Sequence, residues 1–277
     1  MIPPRCHSRN HALIHRLRLA VLVIIVPPAM RADTNQREIL AIMERVADWQ
    51  LAHPSEWKLT EWHNGVLYTG MMALADVSAS PRFRDAMVAV GEKAQWQLGP
   101  RLYHADDHVI GQMYAELYLR DGDAKKIGPL RESFDRILAA RRTSTLQFDR
   151  QTNPKNQERW SWCDALFMSP PAFIRLWKAT GDRRYLDFAV EEWWFTSAFL
   201  YNEEEHLFWR DSSMFPKREA NGRNLYWSRG NGWVMGGLVR MLQLLPADHP
   251  THPRFVQQFR EMAAALLACQ QADGLWR

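Results

Sequence analysis

Apolar side chains recur at helical spacing through most of the chain, in two distinct ways. In Ile39, Ile42, Met43 and Val46, in Phe83, Met87, Val90 and Ala94, and in Phe255, Phe259, Met262, Ala263 and Leu266, they form one stripe, with polar residues opposite. Such helices bury one face and expose the other. The segments 65–75, 109–119, 165–177 and 232–242 are instead apolar nearly all round and rich in Gly, Ala and Met. A helix without a polar face has to be enclosed by others. Strand signals are few, so the pattern predicts an all-α protein in which half-exposed and enclosed helices alternate.

The half-exposed helices share a faint opening: Ala-Ser-Pro-Arg-Phe at 79, Gly-Asp-Ala-Lys-Lys at 122, Gly-Asp-Arg-Arg-Tyr at 181 and Thr-His-Pro-Arg-Phe at 251. Each supplies a turn or capping residue before a basic or aromatic start. With an earlier helix from Asp33, these make five outer helices alternating with four inner ones, a hairpin repeat that suits a toroid. The openings lie 43, 59 and 70 residues apart. The added length falls between an outer helix and the next inner one, at 143–159 and 201–226, and connections that long are usually functional or disordered. Here they carry Trp209, Arg210, Asp211 and Tyr226 rather than Gly/Ser filler, which favours order.

Every inner helix then begins at the same end of the toroid. That end collects Glu61-Trp62-His63-Asn64, His104 with Asp106-Asp107-His108, Trp160-Ser-Trp-Cys-Asp164 and Trp227-Ser-Arg-Gly-Asn-Gly-Trp233. Asp164, among tryptophans at a helix mouth, reads equally as an N-cap or as a desolvated carboxyl able to donate a proton near neutral pH. Asp106 and Asp107 open another inner helix; acids there are ordinary dipole chemistry, yet two carboxylates on neighbouring helices could also face each other across the mouth, as glycosidase chemistry needs. Arg229, between Trp227 and Trp233, suits an anionic sugar, whereas Arg210 could as well stack on Trp209 or pair with Asp211.

Composition and charge remove other classes. With 277 residues, 47% of them hydrophobic, the chain can bury one large core, which excludes a disordered or collagen-like protein. The net charge of +4 arises in residues 1–32, which hold five arginines and no acid, while the remainder has 30 basic against 31 acidic residues. Without that leader nothing suggests a nucleic-acid or acidic-membrane partner. The leader has an arginine-bearing front, an uncharged and mostly apolar stretch at 19–30 and a small residue at Ala32. This reads as a secretory signal over 1–32 ahead of one domain over 33–277, hence as a secreted or periplasmic protein with no permanent membrane anchor. Cys6, Cys163 and Cys269 form neither a disulfide framework nor a metal-spacing pattern, and no HExxH or carboxylate cage is present, so no metal is expected. Thirteen tryptophans are a compositional outlier: buried helix packing explains many, those where the periodicity breaks suit stacking on sugar rings as well, and composition alone does not choose between the two.

The runs Arg159-Trp-Ser-Trp-Cys-Asp-Ala-Leu-Phe-Met168, Leu207-Phe-Trp-Arg-Asp211 and Trp227-Ser-Arg-Gly-Asn-Gly-Trp233, with Asp107-His108 upstream, resemble glycoside hydrolase family 105, which includes the unsaturated rhamnogalacturonyl hydrolases. The resemblance covers roughly 33–277 and implies a six-hairpin (α/α)6 toroid. It also implies hydrolysis of lyase-generated, pectin-type oligosaccharides that carry a 4,5-unsaturated uronic acid at the non-reducing end. In that reading Asp164 protonates C4 of the enol ether and directs water to C5, and the hemiketal opens and expels the neighbouring sugar. Asp107 is then the assisting carboxylate, and Trp227, Arg229 and Trp233 hold the substrate, with Arg210, His108 and Trp62 completing the binding set. No metal or organic cofactor is required. The rivals are an unsaturated glucuronyl hydrolase, a conventional toroid glycosidase and an inactive sugar-binding remnant. Some family members have histidine where this chain has Arg210. Six hairpins at this spacing need roughly 340 residues, so about nine of twelve helices and a C-terminally truncated chain are expected.

Overall fold

A computed structural model of the protein describes residues 35–140, 144–148 and 159–276. The leader, Cys6 and most of the 143–159 connection lie outside the described residues. Five outer helices, α1 (Gln36–Ala52), α3 (Arg82–Lys93), α6 (Gly128–Ala139), α9 (Arg183–Leu200) and α11 (His252–Cys269), alternate with four inner rods. The inner rods are α2 (Trp62–Val77), α4 with α5 (Ala105–His108, Ile110–Asp121), α7 with α8 (Ala165–Met168, Pro170–Thr180) and α10 (Ser228–Leu242). Each rod packs on the next, α2 on α5, α5 on α8, and α7 and α8 on α10, while α3, α9 and α11 return along the rods before them, α1 packs on α2, and α6 packs on α9. This is the alternation the sequence predicts, with one refinement: two inner rods are broken a turn after their start, at Val109 and at Ser169.

The shared opening has a local cause. Inner rods α5 and α8 end on Gly122 and Gly181, both left-handed at φ +72 and +74, where a side chain would be strained. The next residue then starts a new turn, Asp123 accepting from the Lys125 amide and Asp182 from the Arg184 amide. The enclosed rods are as apolar as their position demands. Every residue of α8 from Pro170 to Leu176 is buried, and Phe173 lies between Phe134 of α6 and Phe188 of α9, at 3.6 and 4.6 Å between ring centroids. The only strands among the described residues are β1 (Tyr201–Asn202) and β2 (Leu207–Phe208), a short hairpin inside the connection between α9 and α10. None of the described helices is long and apolar enough to cross a membrane.

One polar knot ties three of the inner rods together. Glu116 of α5 accepts from Arg175 Nε of α8 at 2.6 Å and from Arg240 Nη2 of α10 at 2.7 Å. Arg240 Nε also donates to Gln112 Oε1 at 2.5 Å, and Gln112 Nε2 donates to the Phe167 carbonyl at 2.9 Å. Burial first, then the charge of Arg175, lowers the Arg240 pKa to about 10. One carboxylate thus serves two arginines, and removing it strands both. Glu116→Ala should cost about 3–5 kcal/mol, a fall in Tm of roughly 6–20 °C for a domain of this size, measured by calorimetry. A fall of a degree or two would show that the knot is dispensable.

Candidate active site

The first turns of the inner rods meet at one mouth. Asp164 sits at the N-cap position of α7 with φ −68 and ψ −19, but its side chain makes no capping bond, and Oδ1 is buried without a partner. The sequence leaves capping and chemistry even, and the geometry removes capping. Burial raises the Asp164 pKa to about 6; its own backbone amide, Arg210 and Arg229 pull it down, and Asp211 pushes it up. A carboxyl in that range holds its proton at mildly acidic pH and can return it, as a general acid/base must.

A second carboxyl at the mouth, Asp106, feels the charge of Asp164. Burial and then the charge of Asp164 raise the Asp106 pKa to about 7, with smaller upward pushes from Asp107 and Glu61 and a downward pull from Arg101. His104 caps the same turn, Nδ1 accepting from the Asp106 amide at 3.3 Å, with its ring 5.1 Å from that of Trp162. Burial lowers the His104 pKa to about 4, so it stands neutral beside the acid.

Asp107 is placed differently from the expectation. It is buried and turned toward the 99–101 segment, where Oδ2 accepts from the Arg101 amide at 2.7 Å and Oδ1 from Arg101 Nη2 at 2.5 Å. A Cβ at Gly99 would lie 2.3 Å from the Asp107 carboxyl carbon, so only glycine admits this cradle. Asp107 neutralises Arg101 and anchors the loop, and the carboxyl that feels the charge of Asp164 is its neighbour. His108 also departs from the expected substrate-binding role. It is enclosed beside Phe134 and Phe173, its Nδ1 2.7 Å from Ser169 Oγ and its Nε2 2.8 Å from the Leu102 carbonyl, so no sugar reaches it.

The aromatic walls are Trp62, Trp227 and Trp233. Trp62 stacks on His63, which stacks on Trp57, and its edge meets Trp233 at 6.2 Å between centroids. Trp233 in turn packs on Phe167 beside Asp164. Arg229 is exposed, lies 4.8 Å from the Trp227 ring and makes no salt bridge to a described residue. Arg210 is half-exposed and paired through Nη1 with the fully buried Asp211 at 2.7 Å. Asn231, in the Gly-Asn-Gly motif, accepts from the Phe208 amide and donates to the Phe208 carbonyl, as a strand would. Beyond it, the Cys163 amide donates to the Arg210 carbonyl at 2.8 Å. The 207–211 run is thereby laced between the two tryptophan-rich motifs. Reading the sequence alone missed Asn231 and Arg101; the signal for the second was a cation six residues before a pair of acids. No cluster of three or more His, Cys, Asp or Glu suited to a metal occurs among the described residues.

Two carboxyls with raised pKa values give the stability a definite sign. The folded state holds protons that the unfolded chain releases near pH 4, so this contribution is full below about pH 4 and is lost as pH rises through 6 and 7. The loss should be of the order of 2–4 kcal/mol between about pH 5 and pH 8, read as a fall in Tm. Asp106→Asn, which cannot ionise, should show a smaller fall than the wild type. Equal falls would place the titration elsewhere.

The family described as Glycosyl Hydrolase Family 88 matches residues 34–277. The chain is 32% identical to an unsaturated 3S-rhamnoglycuronyl hydrolase of Alteromonas sp., covering 91% of this chain and 66% of that protein. It is equally identical to a protein of the same name from Formosa agariphila, covering 94% and 73%. The chain therefore spans about two thirds of the first relative's length. Among solved structures, a glycosyl hydrolase family 88 protein from Bacteroides vulgatus superposes with a TM-score of 0.76 at 26% identity, over 87% of this chain and 70% of that one.

Proposed function

From the membership of this chain in glycosyl hydrolase family 88, a family of six-hairpin toroid enzymes, we propose that it removes a 4,5-unsaturated uronic acid from the non-reducing end of lyase-generated oligosaccharides, with a rhamnose-containing neighbour as the sugar released. The names of the two curated relatives favour that neighbour. The leader read at 1–32 adds export to the proposal. The observation that carries the chemistry is Asp164: half-buried, uncapped, with a buried oxygen that has no partner and a pKa near 6, close to Arg229, which makes no salt bridge to a described residue.

The groups divide the reaction among them. Trp227 and Trp233 offer faces for the sugar ring, and the Arg229 guanidinium suits the uronate carboxylate in a planar fork. Protonated Asp164 gives its proton to C4 of the enol ether as positive charge develops at C5 and the ring oxygen. Water then adds at C5 and loses a proton to the carboxylate left behind, so Asp164 ends as it began. The product is a hemiketal, which opens and releases the neighbouring sugar. The charge of Asp164, together with burial, raises the Asp106 pKa to about 7, so Asp106 stays protonated at mildly acidic pH and adds no negative charge beside the donor. Asp107 holds the loop beneath them.

Hydration removes the conjugated double bond, so ultraviolet absorbance of lyase products should bleach, and saturated oligosaccharides should remain intact. Asp164→Asn should lower turnover about a hundredfold or more with little change in Tm, because no capping bond is lost. Equal turnover of saturated substrates would overturn hydration, and an unfolded Asp164→Asn would overturn the catalytic assignment. Turnover should also decline on the alkaline side, with an apparent pKa between about 6 and 7, since the donor must be protonated.

A further inference from the structure

The outer wall carries a pocket that the reaction does not use. It has a volume of about 360 Å³ and lies between the outer helices α9 and α11, beside the start of the β1–β2 hairpin. None of its lining residues belongs to the mouth. Its deepest groups lack partners. Ser197 is 3% exposed and its Oγ meets no hydrogen-bonding atom, and Trp194 Nε1 is buried in the same state. Gln258, also buried, accepts from Trp193 Nε1 at 2.9 Å through Oε1, while its Nε2 has no bond to a described residue. Buried donors are seldom left unmade, and all three of these residues line the one pocket.

Acceptors stand in the same pocket. Glu261 takes Tyr201 OH at 3.1 Å on Oε2 and Gln257 Nε2 at 2.8 Å on Oε1, which leaves acceptor capacity on both oxygens. Glu203 is exposed and in no ion pair with a described residue. Arg254, exposed and also without a salt bridge to a described residue, lies across the Trp194 ring at 3.8 Å, a cover that a ligand can displace. This inventory selects the ligand. An anion would meet two carboxylates, and a cation would leave the indole and amide donors unanswered. A sugar hydroxyl both donates and accepts, so neighbouring hydroxyls can satisfy both kinds of group at once, and the pocket lies in the size range of small-ligand sites. We infer that this pocket is a second saccharide site, which takes an uncharged sugar unit on the outer wall and so holds the protein to glycan independently of the mouth. It does not depend on the reading of the reaction at Asp164.

The test follows the indole N–H resonances of the isotope-labelled full chain. Trp194 is assigned by its loss in Trp194→Phe, and Trp227 and Trp233 by their own phenylalanine variants. Rhamnose and galactose are the uncharged probes, and galacturonate is the anionic one. At least one uncharged sugar should move the Trp194 proton downfield and saturably, with a Kd of the order of millimolar, and galacturonate should bind there at least about tenfold more weakly. Ser197→Ala should raise the Kd about three- to tenfold, as the loss of one neutral hydrogen bond allows, with Tm and turnover unchanged. A Trp194 resonance that none of the three moves would overturn the inference. So would equal affinity for galacturonate, which would make the pocket an anion site, or an unchanged Kd in Ser197→Ala. Movement of Trp194 in step with Trp227 and Trp233, with one shared Kd, would trace it to binding at the mouth and overturn the inference as well. Binding is read here without turnover, so a failure to bleach unsaturated substrates would count against the reaction and leave this site standing.

Discussion

One carboxylate holds the inner ring in register. The rods α5, α8 and α10 are apolar on nearly every side, and packing alone would let them slide or rotate by a turn. Glu116, shared between Arg175 and Arg240, admits a single arrangement, because any other leaves a charge buried without a partner. From that knot the chain of bonds runs upward, through Arg240 to Gln112 and from Gln112 to the Phe167 carbonyl. Phe167 lies three residues after Asp164, and its amide donates to the Asp164 carbonyl. The floor of the mouth and the reacting carboxyl are therefore positioned by the same interior polar group.

The chemistry at the mouth depends on what that scaffold withholds. A carboxylate at a helix start usually takes backbone amides and becomes a stronger acid. Asp164 occupies the place and takes no such bond with its side chain, so aromatic burial dominates and the proton is retained. Asp107, the residue after Asp106, is held differently. It is more deeply buried, yet a guanidinium and an amide satisfy it, and Arg101 is consumed in the process. Had Arg101 been left unpaired, its charge would draw the proton off Asp106. The pairing thus protects the raised pKa of the residue beside it.

Much of this is legible in the sequence. Alternation of striped and uniformly apolar helices gives the hairpin repeat, and the collection of tryptophans and acids at inner-helix starts gives the end of the toroid where chemistry is placed. What escapes is rotation about a helix axis. Asp106, Asp107 and His108 are consecutive, and each step turns the side chain by about 100°, so one feels the charge of Asp164, one meets Gly99 and one enters the core against Phe134 and Phe173. A motif match names the triplet; only the packing of α4 and α5 against their neighbours selects the member. The same holds for the Gly-Asn-Gly run, where Asn231 acts as a surrogate strand for Phe208, a contact 23 residues away that local spacing does not reveal.

That surrogate strand bears on how such a site can change its substrate without changing its reaction. The groups that handle the proton, Asp164 and Asp106, stand on helix starts fixed by the interior. The Arg210 guanidinium stands on an irregular connection, held by Asn231 on one side and Cys163 on the other. Two ties of this kind fix the backbone without involving the side chain at 210, which is held instead by its pair with the buried Asp211. A different residue there would alter the charge at the mouth, and with it one of the pulls on the Asp164 proton, while the burial and aromatic walls of Asp164 stayed in place. Charge at the mouth and burial of the donor are set separately in this architecture because they hang from different parts of it.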